Sequence, residues 1–316
     1  MSKFWPFIRL VPRATHFNFV GLAPYAAILS ALLIVGSGVS FALQGMNFGV
    51  DFAGGTTMEA ITKGPAPLGD IRAALHKMGV NDPQVQGFGA PNTAMIRFLS
   101  VNGQPEAAAG TFVSAKLQQQ FPGLHVSGLS TVGAKVSGEL IISGALALLS
   151  ALGLMLLYIW FRFQLQFGLG AILALFHDVV LTIGLLSVTQ IEVSMTSIAA
   201  LLTVIGYSMN EKVISFDRLR ENLRKYKTTP LREVINLSEN ERLSRTLITG
   251  TTALLALSGA VWDPTNPLFP LVFTMAFGIV IGTYSSIYVA LPVILLWGVR
   301  RDDGEATPIG PQPARY

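Results

Sequence analysis

The chain has 316 residues, of which 51% are hydrophobic and only 13% are charged, and its mean hydropathy is +0.53. Soluble domains carry about 25% charged residues, so this composition excludes an ordinary soluble domain and indicates a membrane protein. The absence of cysteine excludes a disulfide framework and a thiolate metal site. The net charge of +4 does not argue for nucleic acid as a partner, because the positions of the charges matter more than their total.

Long uncharged runs predict six transmembrane helices. A helix needs about 20 mostly apolar residues to cross a bilayer. The predicted spans are 20–42, 139–161, 168–188, 194–214, 246–262 and 269–297. The first apolar run is longer than the roughly 7–15 residues of a signal-peptide core, so we expect a retained anchor that follows a cytoplasmic tail over 1–19.

The distribution of Lys and Arg predicts the orientation of these spans. The N-terminal tail carries three basic residues and no acid, and the segment 215–245 carries eight basic residues, whereas the connections 189–193 and 263–267 carry none. Basic loops stay in the cytoplasm. We therefore expect both ends of the chain, including a tail over 298–316, and the segment 215–245 inside, and the stretch 43–138 outside.

The stretch 43–138 predicts a mixed domain of strands and helices on the periplasmic side. Its apolar residues alternate between strand and helix periods. The predicted segments are a strand over 56–63, a helix over 68–78, strands over 84–89 and 93–99 around a Pro-Asn turn, a helix over 105–121 and a strand over 124–132. This β-α-β-β-α-β order is that of the ferredoxin-like fold. The predicted fold class is therefore a polytopic α-helical membrane protein with six transmembrane helices and one periplasmic α+β ferredoxin-like domain between helices 1 and 2.

Motifs of covalent chemistry are absent from the sequence. The Gly-rich stretch GVDFAGGT at 49–56 is not followed by Gly-Lys-Ser/Thr, and no helix is predicted there, so it is a tight turn at the membrane rather than a phosphate loop. There is no HExxH and no nucleophile elbow. The histidines are too scattered to build a metal site: His16, His76, His125 and His177. The sequence thus predicts no metal, no cofactor and no enzyme.

Ionisable residues inside the predicted spans are the strongest functional signal. They occupy the middle of the third span, the cytoplasmic half of the fourth and the inner boundary of the fifth: His177 and Asp178, then Asn210, Glu211 and Lys212, then Arg245. A charged side chain at the middle of a helix costs about 2.5–3.5 kcal/mol on insertion scales. Such residues usually belong to a proton or ion pathway.

Each of these residues also has a purely structural interpretation. His177 and Asp178 would then form a hydrogen bond between helices. Glu211 would begin the aqueous end of its span, with Lys212 reaching the headgroups, and Arg245 would be one of the basic residues that stay inside. Convergence of Asp178, Glu211 and Arg245 in space would favour a relay, whereas a Glu211 that faces the headgroups would favour a passive role.

Six motifs resemble the SecF members of the SecD/SecF family of protein translocase subunits, and they follow in that family's order. They are GVDFAGG (49–55), VGAKVSGEL (132–140), FHDVVLTIG (176–184), GYSMNEKVISFDRLREN (206–222), LSRTLITGTT (243–252) and GTYSSIYVA (282–290). The resemblance covers about 20–297 and is specific. It implies six spans, a first periplasmic domain, the resistance-nodulation-division superfamily and the bacterial inner membrane.

The resemblance also implies partners and site residues. It implies pairing with SecD beside the SecYEG channel, an unfolded polypeptide in transit, contact with the lipid bilayer, and use of the proton gradient to assist late protein translocation. The implied proton-relay candidates are Asp178, Glu211, His177, Arg245 and Asn210. The residues of the family's first motif are Gly49, Asp51, Gly54 and Gly55.

The chain departs from the family pattern at three positions. Glu211 stands where Asp is usual, Lys212 where a small hydroxyl residue is usual, and Ala134 where Pro is usual. Glutamate keeps the carboxylate, but Lys212 beside it would favour the charged form. Two other functions therefore stay open: a passive scaffold that stabilises SecD without its own relay, and, less expected, a small-molecule exporter, since such exporters usually carry two six-span halves in one chain.

Overall fold

The computed structural model describes residues 15–163, 165–263 and 266–298. Within these residues the chain forms a bundle of long helices and an α/β domain, residues 55–132, that we call the outer domain. The two predicted cytoplasmic tails lie mostly outside the described residues. The three basic residues of the N-terminal tail are among those outside.

The chain enters the outer domain through α1 (Phe19–Gln44) and a short helix, α2 (Val50–Ala53). The sequence analysis predicts no helix at α2, and that prediction is wrong. Gly54 and Gly55 follow with φ angles of +74° and +116°, which glycine adopts without strain. A Cβ at Gly55 would overlap the carbonyl of Phe98, so the motif combines one helical turn with a reversal that only glycine fits.

The outer domain consists of a four-stranded antiparallel sheet and two helices. Its elements are β1 (Gly55–Ile61), α3 (Leu68–Lys77), β2 (Val80–Asn81), β3 (Gln84–Phe88), β4 (Ala90–Phe98), β5 (Ser100–Val101), α4 (Glu106–Gln120) and β6 (His125–Val132). The sheet order is β3-β4-β1-β6, and β2 pairs with β5. The predicted Pro-Asn turn is wrong, because Pro91 and Asn92 lie inside β4 and the chain reverses at Gly89, where φ is +69°.

The helix bundle consists of five further helical segments packed with α1. They are α5 (Ala134–Arg162), α6 (Leu165–Thr189), α7 (Met195–Lys225), α8 (Leu231–Val261) and α9 (Phe269–Ser285), which continues through a π-helical turn (Ser286–Ala290) into α10 (Leu291–Trp297). Among the described residues, α1, α5, α6 and the α9–α10 segment are long and apolar enough to cross a membrane. The predicted spans 194–214 and 246–262 lie within α7 and α8, whose charged residues lower their hydropathy. The six-span topology stays a prediction.

Small residues bring α9 close to α7. A Cβ at Gly278 would overlap Val204, and one at Gly282 would lie 3.0 Å from Ser208. Close approach through small residues is typical of helices packed in membranes. It places the π-helical turn that follows α9 beside the charged part of α7.

α7 and α8, which are joined by the connection 226–230, are longer than a membrane crossing requires. Each has 31 residues, about 46 Å at 1.5 Å per residue, against a hydrocarbon core of about 30 Å. Arg218 joins α7 to α8 through an ion pair with Glu241 at 2.8 Å, and it also pairs with Glu221, one turn later on α7, at 2.6 Å. Partial burial acts to lower the pKa of Arg218, but the hydrogen bonds to these two carboxylates outweigh it and raise that pKa.

Candidate functional site

Five charged side chains are buried at the centre of the helix bundle. We call them the ion-pair network: Asp178 on α6, Glu211 and Lys212 on α7, and Glu239 and Arg242 on α8. Each is at most 4% exposed. Charged side chains are almost never fully buried unless they are paired, so the partners of each decide what the network can do.

Asp178, near the middle of α6, is surrounded by hydrogen-bond donors. Its Oδ2 lies 2.8 Å from Lys212 Nζ and accepts hydrogen bonds from the hydroxyls of Ser285, at 2.7 Å, and Ser208. Its Oδ1 lies 2.9 Å from His177 Nδ1. Because an ionised carboxylate can only accept, the imidazole nitrogen donates. This shell allows an ionised carboxylate to exist away from water.

Lys212 is the cation of this first pair and is fully buried. Its Nζ donates to Asp178 Oδ2, to Ser285 Oγ at 3.0 Å and to the Ser208 hydroxyl, so each of its three protons has an acceptor. Consecutive helical residues point about 100° apart, so Lys212 faces α6 and α9 while Glu211 faces α8. The interpretations in which Lys212 reaches the headgroups or pairs with Glu211 are therefore wrong.

Arg242 is the cation of a second group and lies between two carboxylates. Its guanidinium contacts Glu239, one turn earlier on α8, through Nε at 2.7 and 2.8 Å and through Nη2 at 2.6 Å. Its Nη1 lies 3.3 Å from Glu211 Oε2 on α7. Multiple short contacts of a guanidinium with one carboxylate are the stronger arrangement. Arg242 thus interacts mainly with Glu239 and neutralises the charge of Glu211 less completely.

Hydroxyl groups complete the second group. Thr246 Oγ1 donates to Glu211 Oε2 at 3.0 Å and accepts from Arg242 Nη1 at 2.8 Å. Ser215 Oγ donates to Glu239 Oε1 at 2.7 Å. Both carboxylates are only 1% exposed, so these hydroxyls supply hydrogen bonds that water would otherwise give.

The π-helical turn connects the two groups. Ser285, the last residue of α9, contacts both Asp178 and Lys212, and the adjacent Ser286, the first residue of the turn, accepts a hydrogen bond from Arg242 Nη2 at 2.9 Å. Single π-helical turns inside α-helices are frequent at functional sites. A change in either group therefore acts on the same helical turn.

The charges of the ion-pair network do not balance. It contains three carboxylates and two cations, so with every carboxylate ionised and His177 neutral it has one excess negative charge. An uncompensated charge in a low-dielectric interior costs several kcal/mol. Among the three carboxylates, Glu211 has the longest ion-pair contact, 3.3 Å to Arg242 Nη1.

His177 extends the first group towards α1. Its Nε2 lies 3.1 Å from Ser30 Oγ, and its ring stacks on Tyr284 with centroids 6.0 Å apart. Ser30 Oγ also lies 2.9 Å from the Tyr284 hydroxyl, which donates to the Ala26 carbonyl at 2.7 Å. The imidazole therefore connects α6, α9 and the first helix.

The structure brings together some of the residues singled out in the sequence and leaves others apart. Asp178, His177 and Glu211 lie in or against the network. Asn210 and Arg245 are exposed on their helices, so the convergence of Arg245 with the two acids, which would have favoured a relay, is not found. The acid of α7 pairs instead with Arg242, one turn earlier on α8.

Sequence reasoning missed Glu239 and Arg242 because they lie in the segment assigned to the cytoplasm. A signal was present, since Glu239, Arg242 and Thr246 follow the i, i+3, i+7 spacing that places residues on one helix face. Among the residues that the structure describes, no group of three His, Asp or Glu side chains is placed to hold a metal ion.

Comparison with protein families gives two matches on this chain. Residues 113–300 match the family described as protein export membrane protein SecD/SecF, C-terminal. Residues 39–60 match the SecD/SecF GG motif. The first match contains every residue of the ion-pair network, and the second contains α2 and the glycines that follow it.

Curated relatives of this chain carry the name protein translocase subunit SecF. The protein from Magnetococcus marinus is 43% identical over 313 residues, which cover 94% of this chain and 98% of the relative. The protein from Cereibacter sphaeroides is 41% identical over 302 residues, 93% of each chain. The protein from Rickettsia akari is 36% identical over 295 residues, 93% of this chain and 96% of the relative.

Solved structures of SecDF have a similar fold. The crystal structure of SecDF, a translocon-associated membrane protein from Thermus thermophilus, matches 92% of this chain with a TM-score of 0.81 and 30% identity. A structure of SecDF in a super-membrane-facing form matches 92% of this chain with a TM-score of 0.65. The chain spans 40% of the length of these SecDF chains.

Proposed function

Because the chain belongs to the SecD/SecF family of protein export membrane proteins, we propose that it is the SecF subunit of a bacterial protein translocase. In this proposal it works with SecD and uses the proton gradient to assist late protein translocation across the inner membrane. The work is conformational, and no covalent step is assigned to the chain.

The ion-pair network is the observation that carries this proposal. It places three carboxylates and two cations out of contact with water along α7, where α7 packs against α6 and against α8. Ionisable residues at membrane depth usually mark proton or ion pathways. Glu211 is favoured as the group that binds and releases the proton, because Lys212 compensates Asp178 at 2.8 Å whereas Arg242 lies 3.3 Å from Glu211.

In this proposal the proton gradient supplies the free energy for binding and release of the proton. A charge that crosses the membrane releases roughly 2.3 kcal/mol per 100 mV. Protonation of Glu211 ends its attraction to Arg242, which then stays with Glu239 alone. Since Ser286 of the π-helical turn accepts from Arg242, a shift of the guanidinium changes the contact between α8 and α9, and the bundle passes to a second packing.

The proposal includes a topology and a set of partners. All six long helices cross the membrane, the segment 215–245 is cytoplasmic, and the outer domain is a periplasmic ferredoxin-like unit. The order β3-β4-β1-β6 of its sheet supports that fold. SecD supplies a second set of helices, which agrees with the 40% share of SecDF that this chain spans. The SecYEG channel and an unfolded polypeptide are the remaining partners.

The test is translocation into inverted membrane vesicles with and without a proton gradient. Glu211→Gln keeps the shape of the side chain and removes its charge, and Arg242 remains compensated by Glu239, so folding is preserved. We expect this variant to lose most of the stimulation that the gradient gives, with unchanged translocation in its absence. The matched control is Glu221→Gln, which changes an exposed glutamate on the same helix and keeps the stimulation.

One observation favours the passive scaffold as the second candidate. The Asp178–Lys212 pair is fully hydrogen-bonded and fully buried, as a permanent structural contact between helices would be. If Glu211→Gln and the double variant Asp178→Asn/Lys212→Met both support normal stimulation by the gradient, the relay is not in this chain and the scaffold function replaces it.

A further inference from the structure

The segment that leads from α1 into the outer domain, residues 45–54, is bonded to the connection between α6 and α7, and we call this segment the hinge. The Gly49 amide donates to the Val193 carbonyl and the Val193 amide donates to the Asn47 carbonyl, each at 2.8 Å. Asn47 Nδ2 also donates to the Gln190 carbonyl at 2.9 Å. The hinge and this connection thus run side by side as a short parallel bridge, although they are far apart in the sequence.

Asp51 of α2 caps α7. Its Oδ2 accepts a hydrogen bond from the amide of Met195, the first residue of α7, at 2.9 Å. The first amides of a helix have no partner inside the helix, and a carboxylate there also faces the positive end of the helix dipole. Asp51 therefore holds the beginning of α7 through both a hydrogen bond and its charge.

A second contact lies beside this cap. Arg97 on β4 forms an ion pair with Glu192, and its Nη2 donates to Asn47 Oδ1 at 3.2 Å. The Arg97 side chain is 11% exposed and that of Glu192 is 28% exposed, so the pair is partly shielded from water. A Cβ at Gly49 would overlap the Glu192 carboxylate. A larger residue at this position of the motif would therefore displace Glu192.

A single uninterrupted helix joins these contacts to the ion-pair network. Glu211 lies 16 residues after Met195 on α7, about 24 Å along the axis at 1.5 Å per residue, and α7 contains no proline. A rotation or shift of the helix at Glu211 therefore also displaces Met195. Asp51 is the group of the hinge that moves with Met195, because it is hydrogen-bonded to the Met195 amide.

The junction between the hinge and the sheet also has room for movement. A cleft of about 260 Å³ separates them, lined by Phe48, Gln84, Arg97 and Leu99 among others. Phe98 both lines this cleft and belongs to the apolar core of the outer domain.

From these contacts we propose that Asp51 is a positioning residue that couples α7 to the outer domain, with the Arg97–Glu192 pair as its support. The proposal rests on the function given above, because it assigns the residues that pass on the movement started by protonation of the network. In this mechanism the GVDFAGG motif is a mechanical connection, and its acid does not carry the proton.

The experiment measures the movement of the outer domain directly. Since the chain has no cysteine, spin labels can be attached at cysteines replacing Gln86 on β3 and Thr252 on α8, both exposed. The labelled full chain is reconstituted with its SecD partner, and the distance distribution is recorded with and without a proton gradient. We expect a gradient-dependent shift with native Asp51, at least a twofold smaller shift in Asp51→Ala, and a retained shift in Asp51→Asn, whose amide oxygen still accepts from Met195.

The matched control is Asp70→Ala, which removes an exposed acid from α3 and keeps the full shift. Glu192→Gln tests the supporting pair if Asp51→Ala fails to fold, and we expect a reduced shift there too. If the gradient moves the domain equally in both the native chain and the Asp51 and Glu192 variants, this proposal is overturned while the proposed function stands. If the gradient moves nothing in the native chain, this inference is also overturned, and the translocation assay decides separately on the proposed function.

Discussion

The outer domain and the helix bundle each bury an apolar cluster, but the bundle also buries a network of charged side chains. The core of the outer domain is apolar, with fully buried Met58, Leu75, Ile96 and Leu117 between the sheet and its two helices. The centre of the bundle instead contains five charged side chains and the hydroxyl groups that bond to them. Several of the helices around that centre expose apolar side chains outwards.

The difference between the two regions follows from what surrounds them, water for the outer domain and lipid for the helix bundle. A domain in water gains free energy when it buries apolar surface, and an apolar core is sufficient to fold it. Helices in lipid gain little from apolar contact, because lipid tails are as apolar as leucine, so small residues and polar contacts decide how they pack. The polar contacts of the bundle therefore hold its helices together, and under the proposed function they also make that packing responsive to a single proton.

The largest expected effect comes from breaking the first ion pair from one side. Lys212→Met leaves Asp178 buried without its cation, with the Ser208 and Ser285 hydroxyls and His177 as the remaining groups that face it. Removing one partner of a buried pair costs about 3–5 kcal/mol. We expect a lower thermal midpoint of the purified chain in detergent, with a smaller loss at low pH, where protonation neutralises the isolated carboxylate.

A second change and a control make this prediction specific. Asp178→Asn added to Lys212→Met removes the stranded charge and should recover more than half of the lost stability. Lys116→Met removes an exposed lysine from α4 and should leave the midpoint unchanged. A Lys212→Met chain as stable as the native chain at neutral pH would show that the pair contributes nothing to the packing of α6 against α7.

A smaller loss of stability is expected when a cavity is created in the core of the outer domain. Leu117→Ala on α4 removes a fully buried side chain, and such changes cost about 2–4 kcal/mol. Because no charge is involved, the loss should not depend on pH. Hydrogen exchange of β1 and β4 amides should accelerate, while α7 amides stay as protected as before. Leu129→Ala on β6, where the leucine is 42% exposed, is the control and should change little.

The sequence predicted the outer domain well because its fold follows from local patterns. Strand and helix periods and turn residues located all four main strands and both helices, and the misplaced turn at Pro91 and Asn92 shifted only the start of β4, from residue 93 to Ala90. The two-residue strands β2 and β5 and the single turn of α2 were missed, since elements that short are set by contacts with distant residues and show no period of their own.

The sequence predicted the members of the charged centre only in part. Asp178, His177 and Glu211 were found because a charge in an apolar run is conspicuous. Glu239 and Arg242 were missed because they lie in a charged segment, where neither stands out. The ion-pair partners were harder to predict than the members. Lys212 pairs with Asp178 and not with its neighbour Glu211, and that choice depends on how three helices are rotated against one another.

The smallest expected effect concerns an ion pair at the edge of the same bundle. Arg162 and Asp217 lie 3.1 Å apart, with side chains 44% and 45% exposed. An exposed pair contributes about 0–1 kcal/mol, because water and salt screen it. We expect Asp217→Asn to lower the thermal midpoint only slightly, and the difference from the native chain to vanish at high salt. The effect of Lys212→Met should persist at the same salt, since no solvent reaches that pair. Equal salt dependence of both variants would contradict the contrast between the buried centre and its surface, because it would mean that ions reach Asp178 as readily as they reach Asp217.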